Sequence, residues 1–287
     1  MNNRLEEAKE YLNSAKDLGI LSTVIDKADI YGQTPLLMAS FDGHLEVVEV
    51  LVENGAMIDK ADDGGFNPLF VASQKGHHEV VEHLLQKGAT VDIANNNGAT
   101  PLYIAAQIGH LEVVQHLLKE GATTDKVDNN GATPLLMASQ NGHLEVVEHL
   151  LQKGAMIDKA NKSGATPLYI SSSQGHLNVV EHLLKKGARV DKDMEPGIST
   201  PLYVACIQGH HKVVEVLLHK GASTDKSTKA GDVPLMVASS QGQLECVNLL
   251  LKHNCDIHLK NNDGKTALDW ARENGHTEIV ETLRRNF

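Results

Sequence analysis

Of the 287 residues, 41% are hydrophobic but only 3% are aromatic, so the apolar content is mostly small aliphatic side chains, which suit thin packed layers better than one thick centre. Lysine plus arginine number 26 against 37 aspartate plus glutamate, a net charge of −11 that argues against a phosphate backbone or an anionic membrane surface as partner. Met1-Asn2-Asn3-Arg4-Leu5 shows no basic region followed by an apolar run, and no stretch is long enough to cross a bilayer, so a soluble, intracellular, monomeric chain of cytoplasm or nucleus is expected.

Residues 1–28 read as a capping segment in which Leu5, Ala8, Leu12 and Ala15 mark one helix face, followed by Val24-Ile25-Asp26-Lys27-Ala28. From there a period governs the chain. Prolines recur at Pro35, Pro68, Pro101, Pro134, Pro167, Pro201 and Pro234 with Ala267 next, at spacings of 33 residues and once 34. Gly43-His44, Gly76-His77, Gly109-His110, Gly142-His143, Gly175-His176, Gly209-His210, Gly242-Gln243 and Gly275-His276 keep the same step.

Each unit predicts two antiparallel helices. Thr34-Pro35 sets a hydroxyl N-cap before a proline at the first helical position, where a missing N–H costs nothing, and the helix runs through Leu36, Leu37, Met38 and Ala39 to Gly43. Leu45, Val48, Leu51 and Val52 then place an apolar stripe on a second helix. Gly55 ends it, with Gly88, Gly121, Gly154, Gly187, Gly221 and finally Asn254 in the matching positions, all tolerant of the left-handed backbone that helix ends demand. Between units, stretches such as Ile58-Asp59-Lys60-Ala61-Asp62-Asp63-Gly64-Gly65 read as projecting turns or hairpins, with the Asp-Lys pairs Asp59-Lys60, Asp125-Lys126 and Asp158-Lys159 at solvated tips. A single unit buries too little apolar surface to offset its chain entropy, so units must stack, and a stack offers a long surface instead of a closed pocket.

Gly32-Gln33-Thr34-Pro35-Leu36, Ala39, Gly43-His44, Glu46-Val47-Val48, Leu51 and Gly55-Ala56 together resemble the ankyrin repeat. The resemblance implies a mainly α solenoid of stacked helix pairs joined by hairpin loops. It has seven full repeats at 29–61, 62–94, 95–127, 128–160, 161–193, 194–227 and 228–260, and a shortened capping repeat at 261–287 containing Thr266-Ala267-Leu268-Asp269-Trp270-Ala271. It also implies a non-catalytic module (adaptor, scaffold or inhibitor) that binds another protein along a concave face of hairpin tips and first helices, with a structural spacer or a regulatory subunit as the alternative. No cofactor or metal is expected. The chain departs from the family by carrying Leu37, Phe70, Tyr103, Leu136, Tyr169, Tyr203, Met236 and Asp269 where a histidine is usual. Ser171-Ser172-Ser173 and a one-residue insertion within Gly197-Ile198-Ser199-Thr200 mark the expected weak part of the stack.

Units one and four differ at nine positions. Five of them, Ile30/Asn129, Tyr31/Asn130, Gln33/Ala132, Phe41/Gln140 and Asp42/Asn141, fall on the face that binds partners in the family. Ile30, Tyr31, Gln33, Phe41, Asp42, Asp63, Phe66, Lys75 and Ile108 are therefore the candidate binding residues, with the apolar ones as anchors. Glu195, Pro196, Ile198 and Ile207 form a second candidate.

Other motifs fail on spacing. The Gly-His series places one imidazole per unit, too far apart to share a zinc ion and better suited to bonding backbone groups, and the ladder His83, His116, His149 and His182 fails likewise. His78 and His83 are five apart, whereas the zinc-protease signature needs four. Gly264-Lys265-Thr266 lacks the earlier glycine of a phosphate-binding loop, and Cys206, Cys246 and Cys255 read as buried free thiols.

Overall fold

The computed structural model describes the backbone of residues 2–194 and 199–286, and their side chains except those of residues 2–5 and 8. The expected cap positions Leu5 and Ala8, the site residues Glu195, Pro196 and Ile198, and part of the one-residue insertion lie outside these limits. Among the described residues there are 18 helices and no strand. Two compact units divide the chain: Met1–Pro134 with Gln152–Gly154, and Leu135–Leu151 with Ala155–Phe287.

In the first unit, α1 (Asn2–Asp17) and the short α2 (Leu21–Val24) precede three helix pairs. These are α3 (Pro35–Asp42) with α4 (Leu45–Glu53), α5 (Pro68–Lys75) with α6 (His78–Gln86), and α7 (Pro101–Ile108) with α8 (Leu111–Lys119). First helices pack on first helices, α3 on α5 and α5 on α7, and second on second, α4 on α6 and α6 on α8. Helix α1 covers α4 and buries Leu12 and Ala15. Leu36, Leu69 and Leu102 are fully buried in the first helices, as are Val48, Val81 and Val114 in the second, and the small Ala39, Ala72 and Ala105 let the first helices approach closely. Each buried leucine or valine contributes on the order of 1.5–3 kcal/mol.

The second unit holds α9 (Pro134–Asn141), α10 (Leu144–Gln152), α11 (Pro167–Gln174), α12 (Leu177–Lys185), α13 (Pro201–Gln208), α14 (His211–His219), α15 (Pro234–Ser240), α16 (Leu244–Lys252), α17 (Ala267–Glu273) and α18 (Thr277–Arg285). The same packing runs through it, α11 on α13 on α15 on α17 and α12 on α14 on α16 on α18.

Local chemistry sets the helix ends where the sequence places them. Oγ1 of Thr34 accepts from the Leu37 N–H at 3.2 Å, and Thr100, Thr166 and Thr200 accept from Tyr103, Tyr169 and Tyr203 at 3.1 Å each. Asn67 caps α5 in the same way at 2.8 Å but leaves its buried Nδ2 without a partner, and Val233 caps α15 with no side-chain bond at all. Asn254, at φ 56°, is the one described non-glycine residue with a left-handed backbone, as its place in the glycine series predicts. Cys206, Cys246 and Cys255 are buried free thiols, and burial pushes the Cys206 thiol up.

Three kinds of long-range tie join neighbouring pairs. Histidine Nε2 atoms reach back to a carbonyl at the end of the preceding first helix: His77 to Phe41 at 3.0 Å, His110 to Gln74 at 3.2 Å, His176 to Gln140 at 2.9 Å, His210 to Ser173 at 3.1 Å and His276 to Ser240 at 3.0 Å. A carbonyl only accepts, so Nε2 carries the proton in each ring. The expected backbone bonding holds, but the partner belongs to the previous unit. Gly43 (φ 73°) shows how close the approach is, since a Cβ there would lie 2.6 Å from the His77 ring.

The second tie corrects the reading of the Asp-Lys pairs as solvated tips. Asp59 accepts from the Thr90 N–H at 3.0 Å and from Thr90 Oγ1 at 2.6 Å, and Asp92 holds Thr123 in the same way. Lys60 Nζ donates to the Asp26 carbonyl at 2.9 Å and Lys126 Nζ to that of Asp92 at 2.7 Å, while Asp158 is bound by both Arg189 and Lys192. The aspartates thus accept from the following repeat and the lysines donate to a carbonyl of the preceding one, which repetition along the chain does not disclose. Third, a side chain closes each turn: Asp29 Oδ1 accepts from the N–H groups of Tyr31 and Gln33, Asp62 from Gly64 and Phe66, and Asn95 from Asn97 and Ala99.

Candidate protein-binding face

The candidate residues lie in the first unit, on its turns and first helices. The closed turns of Asp29 and Asp62 push residues 30–31 and 63–64 outward, and the Asp63 N–H donates to the Tyr31 carbonyl at 3.2 Å, which fixes one tip against the next. At the tips Ile30 is 85% exposed and Tyr31 63%, large apolar areas for a folded surface. Phe41 ends α3 at 37% exposure, and Lys75 Nζ sits 4.3 Å from its ring centroid, a cation over an aromatic face. Asp42, Asp63 and Lys75 are exposed, Gln33 is half-buried, and Ile108 is 41% exposed at the end of α7.

Phe66 is half-buried and meets Phe70 with ring centroids 5.1 Å apart and planes tilted at 55°. The two rings belong to an open groove of about 550 Å³ whose other walls are Tyr103, Ile104 and Ala99, the amides of Gln74, Gln107, Asn95, Asn97, Asn129 and Asn130, and Asp128. Of the nine candidate residues only Phe66 lines it. The sequence does carry a signal for Phe70 and Tyr103, because both stand where the family usually has histidine. There Phe70 packs on Phe66 and Tyr103 bonds to Asp128.

Tyr103 donates its hydroxyl to Asp128 Oδ2 at 3.1 Å. Burial, and then the Asp128 carboxylate, hold that phenol protonated well above its ordinary range. Asp128 Oδ1 is in turn held by the N–H groups of Asn130 at 2.9 Å and Ala132 at 2.8 Å. The second unit contains a smaller relative of this arrangement, a space of about 140 Å³ between Tyr203, Asp232, Met236 and Trp270, and burial followed by Asp232 pushes the Tyr203 phenol up to about 12.

The motifs rejected on spacing are otherwise engaged. His78 Nδ1 faces Glu112 at 3.2 Å and His83 Nδ1 faces Glu49 at 3.9 Å, on neighbouring helices to either side of α6. Lys265 pairs with Glu273 at 2.6 Å and lies over the Trp270 ring, and Thr266 caps α17. No described helix is long and apolar enough to cross a membrane.

Stacked helix pairs with projecting turns that carry exposed apolar and charged side chains define a repeat scaffold. The family described as "Ankyrin repeats (3 copies)" matches residues 1–95, 90–161, 156–230 and 221–286, and the chain belongs to the ankyrin-repeat family. Ankyrin repeats are an interaction fold that binds other proteins.

Similarity to individual curated proteins is confined to short segments. The chain is 45% identical over 53 residues to the potassium channel AKT2/3 of Arabidopsis thaliana, covering 18% of this chain and 7% of the channel. It is 41% identical over 54 residues to the espin-like protein of Homo sapiens, 19% and 5% respectively. A third relative, the probable E3 ubiquitin-protein ligase XBOS32 of Oryza sativa subsp. japonica, is 48% identical over 50 residues, 17% and 10%. The matches span a tenth or less of each relative's length.

Proposed function

We propose that this chain is a protein-binding adaptor, scaffold or inhibitor, without catalysis of its own, that holds its partner along the turns and first helices of the first unit. Residues 1–28 and 261–287 cap the array in this reading, and 29–260 carry seven repeats. The partner is a protein inside the cell, cytoplasmic or nuclear, engaged by a single copy of the chain; the net charge of −11 supports a protein over nucleic acid or membrane.

One observation carries the proposal. Ile30, Tyr31 and Phe41 leave large apolar areas open to solvent among Asp42, Asp63 and Lys75, the composition of an interface anchor with a polar rim. Capture of partners from extract, their identification by mass spectrometry, and titration calorimetry with the purified partner form the test. Replacing Tyr31, Phe41 and Phe66 together by alanine is expected to weaken binding about a hundredfold or more, with helical signal and melting retained. Unchanged affinity in a variant that melts like the parent defeats the proposal.

A further inference from the structure

We infer that the groove of the first unit takes an uncharged, extended peptide segment bearing at least one aromatic or large aliphatic side chain. This deepens the protein-binding reading and rests on it.

The one carboxylate of the groove has little hydrogen-bonding capacity left for a ligand. Among its lining residues the ionisable groups are Tyr103 and Asp128, which bond to each other at 3.1 Å, while the other carboxylate oxygen receives two backbone N–H groups. A ligand arginine or lysine would meet a carboxylate whose acceptor sites are largely occupied, and a ligand carboxylate would find no cation in the lining. Either charge would lose water without a matching partner, which selects against both.

What the groove offers instead is rings and amides. Phe66, half-buried against Phe70, lines the groove with part of its ring open. The side-chain amides of Gln74 and Asn97 have no hydrogen-bond partner among the described residues, and each supplies N–H donors and a carbonyl acceptor, the complement of a peptide group. A helix uses its own N–H and C=O groups internally, whereas an extended segment keeps them free for such amides. A volume of about 550 Å³ accommodates a short run of side chains.

The test pans the whole chain against displayed random peptides of about twelve residues, and measures the enriched peptides, synthesised with a fluorophore, by anisotropy. The expected peptides share a core free of Asp, Glu, Lys and Arg and containing an aromatic residue, Leu or Ile. Because the ligand is uncharged and is met by amides, Gln74→Glu and Gln74→Lys should both weaken binding about tenfold or more. Affinity should be the same at about 50 and about 500 mM NaCl, and Glu120→Ala, outside both the groove and the proposed face, should leave it unchanged. Opposite responses to the two Gln74 variants, a conserved charge in the core, or no enrichment overturns the inference. Partner binding that survives both Gln74 variants yet falls with Tyr31→Ala plus Phe41→Ala defeats the groove alone, and survival of partner binding in the Tyr31, Phe41 and Phe66 triple variant defeats the wider reading.

Discussion

Tyr103 on α7 and Asp128, the residue that closes the following turn, are joined by a hydroxyl-to-carboxylate bond of 3.1 Å, so the groove wall and the turn are a single hydrogen-bonded piece. Tyr103→Phe removes the donor and leaves Asp128 Oδ2 facing a partly buried wall. A loss of about 1.5–3 kcal/mol at neutral pH is expected from urea denaturation, the usual scale for a bond to a charged acceptor.

The same phenol gives a pH signature. Tyr103 and Tyr203 both hold their protons more tightly folded than unfolded, Tyr203 up to about 12 against an ordinary value of 10. The folded chain therefore binds more protons than the unfolded chain above pH 10, and stability that is complete below pH 10 declines as pH rises from there towards 12. Melting temperatures across this range should fall less steeply for Tyr103→Phe and Tyr203→Phe than for the parent. Identical slopes would rule out these phenols as the cause.

Val233 sits in the extended conformation of an N-cap (φ −103°, ψ 164°) but offers no acceptor, where Thr34, Thr100, Thr166 and Thr200 each offer one. Val233→Thr should raise stability by about 1 kcal/mol. Asn67→Thr should act in the same direction, because it keeps the cap and deletes a buried amide nitrogen with no partner. Calorimetric melting of each single variant checks both.

The histidine ties contain a natural control. Gln243 occupies the equivalent position and reaches the Ile207 carbonyl through its own amide at 3.5 Å. His110→Gln should accordingly cost less than His110→Ala, which leaves the Gln74 carbonyl without its bond and is expected to lose about 1–2 kcal/mol. Equal costs in chemical denaturation would show that the ring matters by packing alone.

Asp92→Ala tests the tie from one repeat to the next. It removes the acceptor for both the N–H and the hydroxyl of Thr123, at 3.1 and 2.6 Å, and should destabilise by about 1–2 kcal/mol. Glu120→Ala, an exposed change on the neighbouring helix end, should stay within about 0.5 kcal/mol.

Much of the fold is legible because the forces involved act over a few residues. Thr34-Pro35 predicts a helix start and Gly43 its end, and α3 spans Pro35–Asp42; Asn254 stands in a glycine series and adopts the left-handed backbone. The candidate site is legible only in part. Exposure of Ile30, Tyr31 and Phe41 follows from their place on turns and helix ends, and the same reasoning reaches Phe66. Gln74, Phe70, Tyr103 and Ile104 are not legible as one wall, because it is made by residues of adjacent repeats whose spacing says that they align but not that their side chains meet.

The sequence by itself determined the period, the helix pairs, their caps and the family, since capping, backbone preference and apolar spacing are decided by neighbours within about four residues. Only the tertiary structure decided the partners of Asp92, His110 and Tyr103, which lie 31, 36 and 25 residues away. Those bonds depend on where the adjoining unit sets its backbone, and packing between helices, not local preference, sets that position.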